Sequence, residues 1–294
     1  MKKNLRKSAV RVLSACAALD VENHLLEVTR CRVESDKLPE PFDGYKILLL
    51  SDLHGRRYGR ENERLLSKIA GENPDLIAVT GDMIDRSVLD CGGFLRLSET
   101  LGREYPVYYV VGNHELYLKP RDRKRFLARL RSVGIHVLNN EAAVLERGGR
   151  HILLYGLWYP LKYYKEAHGA SGHPLFGPKQ MRSALGKCEK SEYSILLTHN
   201  PIYFDTYAAW GADLTLCGHV HGGMIRLPFF GGLLSPERRF FPKYCAGLYE
   251  KDGKKLLISR GLGSGLFSLR IGNPPELITV TLARPEERGP EKGT

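Results

Sequence analysis

The sequence lacks long apolar runs: no stretch approaches the roughly 18 consecutive apolar residues that a membrane-spanning helix requires. It also lacks CxxC pairs, and a disulfide-rich secreted scaffold is therefore not expected. The six cysteines are scattered along the chain: Cys16, Cys31, Cys91, Cys188, Cys217 and Cys245. We interpret them as reduced thiols of a cytoplasmic protein, with a disulfide bridge left open as an alternative by their even number.

Acidic residues are too few to balance the basic ones. The 294 residues include 44 Lys and Arg against 33 Asp and Glu, which gives a net charge of +11. This charge favours anionic partners: phosphorylated small molecules, nucleic acid or an anionic membrane face. No interleaved basic and aromatic repeat and no known nucleic-acid motif accompanies it, which disfavours nucleic acid.

The first eleven residues contain no acid at all, and their basic residues are Lys2, Lys3, Arg6, Lys7 and Arg11. The apolar stretch that follows, VLSACAAL, is short, and the polar stretch DVENH ends it, which is a poor match to a signal peptide. We treat residues 1–40 as a basic N-terminal segment with two open interpretations. It is either a membrane-proximal helix at the inner face of the membrane or a solvated terminus.

Residues 41–285 are predicted to form one α/β domain. Buried strands are predicted from the continuous apolar runs at 45–51, 75–81, 106–112, 151–157, 193–199, 212–219, 255–262 and 276–283. Helical spacing separates several of them, at 60–73, 94–104 and 121–134. This pattern predicts sheet layers flanked by helices. The Pro-, Gly- and charge-rich residues 286–294 are predicted to be a disordered tail.

Polar residues with metal-binding chemistry follow five of these runs. They are found in SDLHG (51–55), GDMID (81–85), GNHE (112–115), THN (198–200) and GHVH (218–221). Ligands collect beyond the carboxyl ends of strands in open α/β sheets, so we expect these five segments to meet. Their mixed nitrogen and oxygen donors suit Mn, Fe or Zn, and the absence of thiolate argues against a structural zinc site.

The D-x-H pair and the H-x-H pair each have a spacing of two residues. If the strands continue through them, Asp52 and His54 point to the same side, as do His219 and His221. Each pair can then bind one cation or two neighbouring ones. Gly218, Gly222 and Gly223 are expected to allow unusual dihedral angles and close backbone approach in this turn.

The series D-x-H, GD, GNH[DE], H and GHxH resembles the calcineurin-like metallophosphoesterase superfamily over about residues 40–285. The later segments GHVHGGMIRLPFFG and SRGLGSG…RIGNPPEL resemble its bacterial YkuE/YaeI-like branch, which includes membrane-associated phosphoesterases and some UDP-diacylglucosamine pyrophosphatases. The resemblance implies a four-layer α/β/β/α fold, with two mixed sheets in a β-sandwich flanked by helices. It also implies two divalent cations and a bridging hydroxide that attacks phosphorus.

The resemblance assigns a role to each matching residue. Its metal ligands are Asp52, His54, Asp82, Asn113, His199, His219 and His221, with Asp82 shared between the two cations. His114 would act on the substrate and Asp85 would orient it. Arg86 would contact phosphate, although Ser87 stands where the protein-phosphatase branch has glycine. Glu115 is expected to be structural.

These assignments predict a dinuclear metal-dependent phosphoesterase that acts on a phosphate ester or pyrophosphate of a small-molecule or lipid-linked substrate. A membrane-associated pyrophosphatase that acts on a nucleotide–lipid substrate is the alternative within enzymes. A metal-binding scaffold without catalysis is the alternative from another class, and the complete set of ligand types disfavours it.

Overall fold

The computed structural model describes residues 25–85, 91–164, 175–223, 226–227, 231–232, 243–263, 270 and 272–286. The strands are β1 (Glu27–Glu34), β2 (Lys46–Leu50), β3 (Leu76–Val79), β4 (Val107–Tyr109), β5 (Ile135–Val137), β6 (Glu141–Arg147), β7 (Arg150–Leu157), β8 (Ser194–Thr198), β9 (Leu214–Cys217), β10 (Arg226–Leu227), β11 (Gly231–Gly232), β12 (Gly247–Lys251), β13 (Lys254–Ile258) and β14 (Glu276–Ala283). The α-helices in this part of the chain are α1 (Glu63–Glu72), α2 (Gly92–Glu104), α3 (Asn113–Tyr117), α4 (Pro120–Ser132), α5 (Pro178–Leu185) and α6 (Phe204–Trp210). Short 3₁₀ helices cover Glu40–Phe42, Leu161–Tyr163 and Pro201–Tyr203. Within the described ranges, none of the helices combines the length and the apolar character needed to cross a bilayer.

Twelve of the fourteen described strands form two six-stranded mixed sheets, and β10 and β11 pair antiparallel with each other. The first has the order β1-β14-β2-β3-β4-β5, and the second has the order β12-β13-β9-β8-β7-β6. Strands β2 to β5 are parallel to one another in the first sheet, and β7, β8, β9 and β13 are parallel in the second. Each sheet therefore has a block of parallel strands whose carboxyl ends lie at one edge.

The alternation of side chains along the central strands explains the layering. In β2, Ile47 and Leu49 belong to the apolar core between the sheets, whereas Leu48 and Leu50 pack in the core beneath the helices. The same helix-side core contains Leu65 of α1. Both faces of these strands are buried, which is why they consist of continuous apolar residues. The predicted α/β/β/α sandwich is confirmed.

The four outermost strands of the two sheets are β1, β5, β6 and β12, and the apolar runs did not indicate them. Their sequences alternate polar and apolar residues or are very short, as in EVTRCRVE for β1 and EAAVLER for β6. An edge strand needs no continuous apolar run because one side of it faces solvent. Strand β1 pairs with β14 along all eight of its residues, so this part of the segment 1–40 belongs to the sheet of the domain.

Several predicted features lie outside the described residues: the basic residues of the N-terminus, Arg86, Cys16 and residues 287–294. The five described cysteines are free thiols. Cys217 is fully buried against Leu256 and Ile258, as expected of a small apolar side chain.

Candidate active site

The carboxyl ends of five strands meet where the two sheets face each other. The loops after β2, β3 and β4 come from the first sheet, and those after β8 and β9 come from the second. The predicted ligands in these loops form two groups, Asp52–His54–His221 and Asp82–His199–His219, and the ligand atoms within each group lie within 4.8 Å of one another. The seventh, Asn113, is in contact with His199. The structure therefore brings all seven predicted ligands together.

Most of the predicted ligands have a left-handed backbone conformation, unlike the extended strands that precede them. Nine non-glycine residues in the described ranges have a positive φ, and five of them are Asp52, His54, Asp82, His219 and His221. The expectation that a two-residue strand repeat orients the D-x-H and H-x-H pairs was wrong. Strand β2 ends at Leu50 and β9 ends at Cys217, before either pair begins. Left-handed backbone at a non-glycine residue costs free energy and is concentrated at functional sites.

Glycine makes room for this arrangement in the turn after β9. A Cβ on Gly218 would lie 1.9 Å from the Ser51 hydroxyl oxygen and 2.2 Å from Asp52 Oδ2. Gly222 and Gly223 have φ values of 69° and 83°. The predicted use of these glycines, close approach at the first and unusual dihedrals at the other two, is confirmed.

The first group surrounds the carboxylate of Asp52, which is completely buried. The backbone N–H of His219 donates to both of its oxygens, at 3.1 and 3.0 Å. The Nε2 atoms of His54 and His221 are 3.2 Å apart and lie 3.9 and 3.6 Å from Asp52 Oδ1. Two imidazole nitrogens and a carboxylate oxygen thus face one another at a spacing suited to sharing a cation.

The second group surrounds the Nε2 atom of His199. The Nδ1 atom of this ring is 2.7 Å from the carbonyl oxygen of Thr80, which can only accept, so Nδ1 carries the proton and Nε2 carries a lone pair. That lone pair lies 3.1 Å from Asp82 Oδ2, from Asn113 Oδ1 and from His219 Nδ1. A neutral imidazole surrounded by further acceptor atoms is the environment of a metal ligand, and the carbonyl that fixes its tautomer is a typical supporting group.

Burial determines the protonation of these groups. It lowers the pKa of His199 to about 4 and lowers the pKa of both His54 and His221 well below the ordinary value. These rings are therefore neutral near pH 7 and offer lone pairs. Burial raises the pKa of Asp52 and of Asp82, because each carboxylate is removed from water. A divalent cation favours the ionised form of such carboxylates, so the donor set fits bound metal.

Asp82 lies at the centre of the cluster. Its Oδ2 is 3.1 Å from Nε2 of His199 and 4.0 Å from Nε2 of His54, so one carboxylate reaches both groups of ligands. Its Oδ1 accepts a hydrogen bond of 2.7 Å from the backbone N–H of His114. The role of Asp82 as a shared ligand, which the resemblance implies, stays a prediction that this central position allows.

His114 lies beside the ligands, with Nε2 3.9 Å from Asp82 Oδ2. Its Nδ1 is 3.8 Å from Oδ1 of Asp85, which is an ion-pair distance rather than a hydrogen bond. The ring packs edge-on against His54, with 4.4 Å between the centroids. His114 also forms a third group of possible ligand atoms with His54 and Asp82, so its nitrogen faces the same space as the ligands do.

Comparison with known proteins identifies the family. The family model for calcineurin-like phosphoesterases matches residues 45–223, which include all seven predicted ligands. The chain belongs to the calcineurin-like phosphoesterase family. It is thus a hydrolase that acts on phosphoric esters, and its family implies divalent metal ions.

Bacterial relatives match over most of the chain. The uncharacterized metallophosphoesterase YkuE of Bacillus subtilis is 27% identical over 267 residues, which is 89% of this chain and 87% of the relative. The phosphodiesterase YaeI of Escherichia coli is 29% identical over 253 residues, which is 81% of this chain and 82% of the relative. Among solved structures, the phosphopantetheinyl hydrolase of Mycobacterium tuberculosis is 14% identical with a TM-score of 0.48, over 74% of this chain and 89% of the other.

Glu115 supports the phosphoesterase site in a way that the sequence did not reveal. Its buried carboxylate accepts backbone N–H groups from two loops: Asp82 and Gly112 donate to Oε2, each at 2.9 Å, and Met83 donates to Oε1 at 2.8 Å. It therefore joins the loop after β3 to the loop after β4. The GNHE motif marked this residue, but only the fold shows which N–H groups it accepts.

Proposed function

We propose that the protein is a dinuclear metal-dependent phosphoesterase that cleaves phosphate ester or pyrophosphate bonds of phosphorylated small molecules. The observation that carries this proposal is the convergence of two ligand groups on Asp82. One group comes from the loop after β2 and the turn after β9, the other from the segments after β4 and β8 and the same turn. The carboxylate between them is placed to serve both groups.

Each predicted ligand except Asp82 would hold one cation. Asp52, His54 and His221 would hold the first cation, and Asn113, His199 and His219 would hold the second, with Asp82 shared. When bound, such a pair supplies a hydroxide nucleophile at neutral pH and neutralises charge on the phosphoryl oxygens. The mixed nitrogen and oxygen donors suit Mn, Fe or Zn.

The chain's own residues supply the proton transfer. His114 can donate a proton from Nε2 to the leaving oxygen, since this atom faces the space between the ligand groups. Asp85, 3.8 Å from Nδ1, would hold the ring in that orientation and stabilise its charged form. The contact of Arg86 with phosphate stays a prediction.

A screen of metal-loaded protein tests the proposal. Protein reconstituted with Mn, Fe or Zn would be assayed against aryl phosphate monoesters, aryl phosphodiesters, cyclic nucleotides and nucleotide–sugar pyrophosphates. We expect turnover of at least one class, with the diester as the first candidate because the relative YaeI is named a phosphodiesterase. Absence of turnover in every arm would favour the scaffold interpretation.

The variant His114→Ala separates binding from catalysis within the same screen. Metal content should stay at the wild-type level, since His114 is not assigned as a ligand. The turnover number should fall by about 10²–10⁴-fold, the usual contribution of a general acid. Full activity in this variant, above all with substrates that have poor leaving groups, would refute the role of His114.

A membrane-associated nucleotide–lipid pyrophosphatase is the second candidate. The observation that favours it is the basic character of the chain, which includes the acid-free first eleven residues and the exposed Arg121, Lys124 and Arg125 of α4. Basic side chains attract anionic lipid headgroups. A UDP-diacylglucosamine arm in the screen, with the lipid presented in anionic vesicles, distinguishes this candidate from the first.

A further inference from the structure

The segment 259–276 lies beyond the part of the chain that the family model matches, yet it contacts the candidate metal centre. Two stretches of it are described close to the ligands: the turn 259–263, and Arg270 with residues 272–276. Both belong to the pattern SRGLGSG…RIGNPPEL, which the proposed chemistry does not use. The contacts of Asn273 and Arg270 indicate what this pattern does.

Asn273 is completely buried, and its side chain holds the turn that carries His221. The amide nitrogen donates to the carbonyl oxygens of His221 and Gly223, each at 2.7 Å. Both partners can only accept, so this position requires a group with two donors on one atom. Because His221 has a φ of 53°, these bonds fix a ligand whose backbone is strained.

Arg270 has the same function for the turn 260–263. Its guanidinium is 2% exposed and donates to the carbonyl oxygens of Arg260, Gly261 and Gly263, and to that of Asn273 itself. Burial lowers its pKa to about 10, although the nearby Tyr58 and Asp52 act in the opposite direction. The planar fork of donors, which these carbonyl oxygens occupy, accounts for its place here.

The turn that Arg270 fixes lies directly on Asp52. The backbone N–H of Leu262 donates to the carbonyl oxygen of Ser51 at 3.0 Å, and that of Gly263 donates to the carbonyl oxygen of Asp52 at 2.6 Å. A Cβ on Gly261 would lie only 2.6 Å from the Cβ of Asp52. The position of the Asp52 carboxylate therefore depends on this turn.

The contacts of Asn273 and of the turn 260–263 are concentrated on the first ligand group. Asn273 and the turn 260–263 bond to the backbone at His221 and Asp52, which belong to the first ligand group. The hydrogen bonds recorded for Asn113 and for the His199 side chain involve other parts of the fold, such as the carbonyl of Thr80. The C-terminal segment is therefore coupled to one metal position more closely than to the other.

We propose that Asn273 and Arg270 are positioning residues that set the cation affinity of the first ligand group, Asp52, His54 and His221. This inference rests on the proposed dinuclear function and deepens it. Residues around metal ligands typically change metal affinity about 10–100-fold when they are substituted. The loss of the Asn273 donor should accordingly weaken one of two metal positions by that factor.

Manganese binding to the full chain tests the proposal through stoichiometry and spectroscopy. Wild type should bind two Mn²⁺ and show the electron paramagnetic resonance signal of an exchange-coupled pair. Asn273→Asp keeps the shape of the side chain but removes the donor, so it should bind one Mn²⁺ as tightly as wild type and the second about 10–100-fold more weakly. When one equivalent of Mn²⁺ per chain is added, the spectrum of Asn273→Asp should be that of an isolated ion.

Three further variants complete the test. Asn273→Leu cannot donate in any protonation state and should resemble Asn273→Asp, whereas Arg270→Lys keeps the charge without the fork and should weaken the same position. Asn62→Asp is the matched control, because buried Asn62 acts as an acceptor from the N–H of Tyr58 and aspartate can replace it. Leu154→Ala in the core between the sheets controls for a general loss of stability.

Three outcomes would overturn the proposal. The first is wild-type affinity at both positions in the Asn273 variants, and the second is equal weakening of both positions to the degree seen in Leu154→Ala. The third is failure of the Asn273 and Arg270 variants to fold, which would make these residues structural. If wild type itself does not bind two Mn²⁺, the proposed dinuclear function fails instead, and the two failures are thus distinguishable.

Discussion

At the scale of single residues, the candidate site depends on buried groups that hold the backbone-strained predicted ligands in place. Asp82 has a φ of 53° and lies between the two ligand groups. Its backbone N–H is bound by the carboxylate of Glu115, which also accepts N–H groups of Gly112 and Met83. Burial raises the pKa of Glu115, and the backbone donors act against this shift by stabilising the ionised carboxylate that holds the two loops together.

We expect Glu115→Gln to be destabilising. The amide of glutamine presents N–H donors where the carboxylate accepts, so at least one backbone N–H of the two loops is left without an acceptor. A buried unsatisfied donor costs about 1–3 kcal/mol in the free energy of unfolding. Urea denaturation measures this loss, and turnover of the metal-loaded variant should fall with it because Asp82 moves.

The exposed Glu61 provides the control for this substitution. Glu61→Gln makes the same chemical change at a side chain that is 64% exposed, where the effect should stay within about 0.5 kcal/mol. If Glu115→Gln unfolds at the same urea concentration as Glu61→Gln, the carboxylate does not hold the loops as described.

At the scale of elements, the turn after β9 joins the two sheets. It begins at Gly218, whose backbone passes so close to Ser51 and Asp52 of the first sheet's loop that no side chain fits. The next residues, His219 and His221, then reach both ligand groups. Close backbone approach between the sheets is thus a condition for the second sheet to contribute side chains to the candidate site.

Gly218→Ala should therefore damage both the fold and the site. The added methyl group would meet the Ser51 hydroxyl at 1.9 Å, and overpacking of this kind costs about 1–3 kcal/mol or more. We expect a lower free energy of unfolding together with weaker Mn²⁺ binding, measured by denaturation and by titration. The comparison is Gly71→Ala at an exposed position of α1, where the new Cβ meets nothing within 4 Å and stability should rise by about 1 kcal/mol. Equal behaviour of the two variants would contradict the role given to Gly218.

Particular elements also show how far the sequence could predict the structure. The central strands were predictable because burial on both faces requires apolar runs such as KILLL in β2. The edge strands β1 and β6 were not, since pairing along one side leaves their residues mixed. The motifs predicted which side chains meet at the candidate site, but they did not predict the left-handed backbone of those residues, because nearby loops rather than local sequence impose it.

At the scale of the whole molecule, the site depends on contacts between residues far apart in sequence. Asn273 bonds to the turn at His221, and Arg270 holds the turn that packs on Asp52. A motif such as RIGN gives no indication of these partners, because they are set by the antiparallel pairing of β14 with β2 that brings the C-terminal segment beside the first loop. Spacing along the chain predicts candidate ligands, whereas the supporting contacts are seen only once the sheets are packed together.

The candidate metal centre links the two sheets. Asp52, His54 and Asp82 come from the first sheet, and His199 and His221 come from the second. Cations bound by both should stabilise the folded chain, by about 2.7 kcal/mol for each site when free metal exceeds its Kd 100-fold. The sandwich and the site are therefore expected to be energetically coupled.

Anomalous diffraction from crystals grown with manganese tests the central claim most directly. The account predicts two manganese peaks per chain, about 3.5–4 Å apart, as in two-metal hydrolases. One should contact Asp52, His54 and His221, the other should contact Asn113, His199 and His219, and Asp82 should contact both. A single peak, or two peaks that leave either ligand group without metal, would contradict it.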